Sequence, residues 1–231
     1  MKNKLLTYSF DNKLSHIPSA LSMLDYVEVL FKERIVTPTD GIVIGKPFGA
    51  QAYYVVWEEL GYITNINQLS VGVKHDEIPF VDYADETIGN ALGVSIGIAL
   101  TTHKRIWVNL SDASLQMGNI LEAIQFIGQH NLRNIFVTID YNNAQVTGHT
   151  TDIISVEPCK NFFAECGWIV HSINGHNKQE LSKTFNSLDA SRPNVVFCNT
   201  TKGNGVQCMV EDIQKWHYRK ISSLEELESM I

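Results

Sequence analysis

Two apolar runs, RIWVNL (105–110) and NIFVTI (134–139), constrain this chain more than any other feature, because both give way at once to oxygen-bearing side chains. The first leads through Ser111 to Asp112; the second ends on Asp140, with Asn142 just beyond. Between them GNILEAIQFIGQH (118–130) carries apolar residues at helical spacing. Strand, helix and strand at this spacing predict a right-handed βαβ unit whose parallel strands end at a common edge. Ligands of such sheets bind beyond the carboxyl ends of the strands, where Asp112 and Asn142 would then lie.

The same alternation extends over the rest of the chain. GIVIG (41–45), WIVHSI (168–173) and NVVFCN (194–199) read as further buried strands. Helical patterns occupy 19–34, 50–60, 87–102, 156–166 and 178–188, and SSLEELESMI ends the chain as a short amphipathic helix. Near-continuous apolar strands require cover on both faces. The expected fold class is therefore α/β, a parallel sheet flanked by helices on both faces, and a length of 231 residues fits one domain spanning 1–231. A net charge of −7 without a Lys/Arg-rich run gives no electrostatic reason to bind nucleic acid. No run of about 18 apolar residues and no signal-peptide pattern occurs, so the expectation is a cytoplasmic chain with no membrane role. Cys159, Cys166, Cys198 and Cys208 form no close CxxC pair, which argues for reduced thiols over a zinc site.

The segment from Asp112 to Asn142 resembles the thiamine-diphosphate motif, GDG followed about thirty residues later by Asn. More of the chain resembles the N-terminal domain of transketolases. SHIPSALSMLDYVEVLF resembles the segment beginning GHPGG and places His16 as a substrate contact. GKPFGAQAYYVVWEELGY resembles SKGHAAPALY, with Lys46 in register, and KHDEIP offers His75 as a further active-site His. ETIGNALGVSIGIAL resembles GSLGQGLSIAVGMAL, putting Ile88 against the thiamine ring. TTKGNGVQCMVEDIQKWHYRK resembles TVKGKGV followed by ME and WH, giving Lys202 and His217 as diphosphate or substrate contacts. The resemblance implies a thiamine-diphosphate-binding fold in which Asp112, Asn142 and the carbonyl of Ala144 hold the metal. Oxygen ligands suit magnesium, and equally calcium or manganese. Ser111 and Ala113 flank Asp112 in the diphosphate cradle.

The departures from that family concentrate at the site. Ser111 and Ala113 replace the two glycines of GDG, Met117 stands where an acid is usual, and Phe48 replaces the His of SKGH. Nothing in the chain matches the pyrimidine-binding domain, whose glutamate activates the cofactor. The resemblance thus implies one half of a split, two-component transketolase-like enzyme moving a two-carbon ketol unit between sugars or sugar phosphates. The partner would be a separately encoded transketolase C-terminal-type subunit supplying that Glu, with self-association as α2β2. Two other readings stay open: an α subunit of a 2-oxoacid dehydrogenase or decarboxylase, and a degenerate regulatory partner. KGNGV and the WH ending favour transketolase over the first; Asp112 and Asn142 speak against the second. His103, His130, His149 and His171 read as structural, and His176 as the start of a helix.

Overall fold

The computed structural model describes residues 1–67, 69–74 and 77–231. Six strands, β1 (Gly41–Ile44), β2 (Tyr83–Ala84), β3 (Ile106–Ser111), β4 (Ile135–Tyr141), β5 (Ile169–Asn174) and β6 (Asn194–Asn199), form one sheet in the order β2-β1-β3-β4-β6-β5. Every pairing is parallel. The helices are α1 (Lys2–Asp11), α2 (Ile17–Lys32), α3 (Gln51–Glu59), α4 (Ala91–Thr101), α5 (Gly118–Gln129), α6 (Thr150–Ile153), α7 (Cys159–Glu165), α8 (Lys178–Asn186), α9 (Gln207–Glu211), α10 (Lys215–Tyr218) and α11 (Leu224–Glu228).

The period of two along each strand divides the core into two layers. Ile42, Ile44, Trp107, Phe136 and Val196 face α1, α2, α3 and α8, and Trp107 stacks on Phe136 with ring centroids 4.9 Å apart. Val43, Ile106, Val108, Val137 and Phe197 face α4, α5 and α7. Burial on both sides explains why these strands carry so few polar residues. Each of the five strands and seven helices read from the pattern is present, with ends displaced by a few residues. Helix α1, the short helices α6, α9 and α10, and the two-residue β2 are additions. The sequence KNKLLTYSFD has no side-chain cap and only a modest apolar face, so its burial of Leu5 and Leu6 depends on tertiary packing.

Adjacency of β3 and β4 builds the site. Their register pairs Ser111 with Asp140, so the residues that follow each strand emerge side by side at one sheet edge. Among the described residues no helix is long and apolar enough to cross a membrane.

Candidate functional site

Beyond the carboxyl ends of β1, β3 and β4 lies a cavity of about 260 Å³. It is lined by His16, Lys46, Ile88, Ser111, Asp112, Ala113, Asn142, Ala144, Lys202 and His217, so every candidate named from the sequence is brought together here except one. His75 lies outside the described residues.

Asp112 opens a 3-10 turn (Asp112–Gln116) directly after β3 and is 2% exposed. One carboxylate oxygen accepts from the Ala113 amide at 2.7 Å, the other from the Thr150 hydroxyl at 3.1 Å. No cation pairs with it among the described residues; burial, and then the charge of Asp140, push its pKa up to about 6. Asn142 is oriented by three bonds. Its amide nitrogen donates to Asp140 (2.8 Å) and to the Ser22 hydroxyl (3.0 Å), while its oxygen accepts from the Ala144 amide (2.9 Å). A carboxylate and a carboxamide oxygen each accept more than one bond, so both keep acceptor capacity toward the cavity.

The cations are buried as well. Lys46 follows β1 and is ion-paired with Asp140, a fully buried carboxylate that also accepts from Ser22 and Thr200. The Lys46 ammonium donates in addition to the Ser19 carbonyl at 2.9 Å. Gly49 lets this loop lie on α2: its φ is +96°, and a Cβ would sit 2.9 Å from the Ala20 amide nitrogen. Lys202 is 4% exposed, and among the described residues its ammonium hydrogen-bonds only to the neutral Nδ1 of His217, at 3.2 Å. Burial and then the nearby Lys46 lower its pKa to about 8.

At the mouth, His16 precedes α2 in the left-handed region, with φ 58°. Its ring stacks on Phe48 at 4.6 Å and meets His217 and Tyr218 edge-on. Burial, then the adjoining charged groups, lower His16 and His217 to about 4, so both imidazoles are neutral at pH 7. The altered residues adapt locally. Ser111 turns its hydroxyl into a reciprocal cap with Ser114, Met117 packs on the α4/α5 core beside Gly89, and Phe48 forms an apolar lip over His16.

A buried carboxylate and a buried ammonium in one cavity, neither in an ion pair among the described residues, together fit a divalent metal bound to a diphosphate. Sequence reasoning missed the roles of Asp140, Ser22, Thr150 and Thr200, which hold the site residues without lining the cavity. Only the Ser19/Ser22 spacing in the apolar first half of α2 hinted at polar contacts there.

The family model described as the transketolase thiamine diphosphate binding domain matches residues 93–218. The chain belongs to this family. Along its whole length it is 26% identical to one of the subunits of apulose-4-phosphate transketolase from Phocaeicola vulgatus, covering 89% of that protein. It is 29% identical over 85% of its length to the like-named protein of Actinobacillus succinogenes, covering 76%. Its fold matches transketolase from Leishmania mexicana, with a TM-score of 0.79 and 18% identity over 99% of this chain and 42% of that one. Transketolase from Campylobacter jejuni gives 0.68, at 20% identity over 92% and 41% of the two chains. This transketolase-class domain thus spans about two fifths of the solved transketolases and most of the two apulose-4-phosphate transketolase proteins.

Proposed function

We propose that the chain is the cofactor-diphosphate-binding subunit of a two-component transketolase, its active site completed by a separately encoded pyrimidine-binding subunit that supplies the activating Glu. The observation that carries this reading is the placing, in one cavity, of the buried Asp112 carboxylate and the buried Lys202 ammonium, neither of them in an ion pair among the described residues. Both apulose-4-phosphate transketolase relatives are named as subunits, which supports a second polypeptide.

In this reading Asp112, Asn142 and the Ala144 carbonyl hold magnesium, or calcium or manganese, and Ser111 and Ala113 border the diphosphate. Lys202 neutralises diphosphate charge, and Ile88 lies against the thiamine ring. Lys46, locked by Asp140, serves chiefly to fix the cavity floor. His16 and His217, both neutral, donate or accept hydrogen bonds at the reacting sugar, and His75 joins them from its matched segment. Thiamine diphosphate supplies the carbanion chemistry, and the protein supplies binding and orientation. Residues 1–231 act as one domain, in an α2β2 assembly in the cytoplasm. The substrates are sugars or sugar phosphates, and apulose 4-phosphate, named for the relatives, is the first donor to test.

Reconstitution tests the reading. The chain, its partner and the mixture are each given thiamine diphosphate, magnesium, a ketose phosphate donor and an aldose phosphate acceptor, and two-carbon transfer is followed by the mass of the lengthened acceptor. Product from the mixture alone is expected. Product from the chain by itself contradicts a shared active site.

A further inference from the structure

His176 lies outside the cavity, yet its hydrogen bonds determine where Lys202 can be. The ring follows β5, and its Nε2 faces the Thr201 amide N–H at 2.8 Å. An N–H donor opposite Nε2 means that Nε2 carries no proton, so the neutral ring bears its hydrogen on Nδ1. That hydrogen is aimed at the Asp25 carboxylate, 2.9 Å away. Asp25 belongs to α2, three residues beyond Ser22 on the same helical face, and the Asn204 carboxamide lies against the pair, 3.0 Å from His176 Nδ1 and 3.4 Å from Asp25, with the carboxylate the nearer partner of Nδ1. A carboxylate therefore fixes the tautomer, and the tautomer presents a single acceptor to a peptide group one residue before Lys202.

The surrounding backbone has no slack. Gly175 donates to the Asn199 carbonyl at 2.8 Å, and a Cβ there would meet the Thr200 methyl at 2.4 Å, so the two loops touch. Beyond Lys202, the Gly203 amide donates to the Pro18 carbonyl at 3.0 Å. Lys202 is thus held on both sides, by His176 before it and by the start of α2 after it. The restraint is needed because a buried ammonium without an acidic partner is drawn toward water.

We propose that His176, fixed by Asp25, is a positioning residue that holds the Thr201–Lys202 segment so that Lys202 points into the diphosphate cavity. The proposal rests on the reading of Lys202 as a diphosphate contact. It gives a role to an Asp-His pair that does not line the diphosphate cavity, and it ties α2, β5 and the loop after β6 to one charge.

The test uses the full chain, with magnesium and inorganic diphosphate as the probe. His176→Phe removes the acceptor; His176→Gln places a carbonyl oxygen near the position of Nε2. Hydrogen exchange at the Thr201 amide is expected to quicken in His176→Phe and to stay slow in His176→Gln. Calorimetry is expected to show diphosphate binding weakened about tenfold in His176→Phe and restored to within about threefold in His176→Gln. In a Lys202→Ala background, His176→Phe is expected to change affinity by less than about twofold, because the group being positioned is gone. Additive losses in the double variant overturn the coupling, as does unchanged Thr201 exchange in His176→Phe. Wild-type affinity in Lys202→Ala overturns the underlying role of Lys202 instead.

Discussion

Lys46 and Asp140 form an ion pair in which the carboxylate is fully buried, and this pair joins the loop after β1 to the end of β4. Ser22 of α2 and Thr200 after β6 donate to the same carboxylate, so one charge ties four segments together beneath the cavity. Removing one partner strands the other in the interior. Lys46→Met or Asp140→Leu is expected to cost about 3–5 kcal/mol each, with the double substitution costing less than their sum. Denaturant unfolding measures all three. Small, additive losses would show that the pair is dispensable.

Lys202 predicts a pH dependence of the opposite sense to a stabilising lysine. Its folded pKa, about 8, lies below the ordinary value of 10.5, so between these the unfolded chain binds more protons. The penalty is fully present below about pH 8 and is relieved as pH rises toward 10.5. Lys202→Met is expected to raise the melting temperature at pH 7 and to flatten the rise in stability between about pH 8 and 10, while weakening diphosphate binding. A variant less stable than wild type at pH 7 would mean that the ammonium is already compensated.

Thr150 donates to Asp112 at 3.1 Å and orients the proposed metal ligand. Thr150→Val is expected to weaken metal-dependent diphosphate binding about tenfold or more, and Asp112→Ala to abolish it with the fold intact. Calorimetry in magnesium reads both, with circular dichroism as the check on folding. Unchanged affinity in Asp112→Ala would remove Asp112 from the site.

Met117 stands where transketolases carry an acid, and here it packs against apolar neighbours of α4 and α5. Met117→Glu places a carboxylate in that environment, so a loss of about 1–3 kcal/mol is expected. No ketol transfer is expected from that variant alone. Turnover by the isolated Met117→Glu chain would refute dependence on a second polypeptide.

Features of this fold were legible in the sequence where their signal was local. Strands such as NVVFCN announced themselves because burial on both faces imposes an apolar composition. Helix α8 was legible from the amphipathic spacing of KQELSKTFNSL, and Asn177 proves to cap it. Positions of Asp112 and Asn142 at the sheet edge followed from the strands that precede them. The division of labour between Asp112 and Asp140 did not. Both acids follow apolar strands, and only the fold brings Lys46 to Asp140 across 94 residues, leaving Asp112 unpaired with any cation among the described residues. His176 read as a helix start and does precede the Asn177 cap. Its bonds to Asp25 and Thr201 are long-range and left no trace in its neighbours.

The central claim is that this chain holds the metal–diphosphate end of thiamine diphosphate while a second polypeptide completes the site. Isothermal titration of thiamine diphosphate with magnesium, into the chain alone and into its mixture with the separately encoded partner, tests it most directly. Magnesium-dependent binding is expected, markedly tighter in the mixture and lost in Asp112→Ala. A stable complex of the two chains that binds no thiamine diphosphate would contradict it.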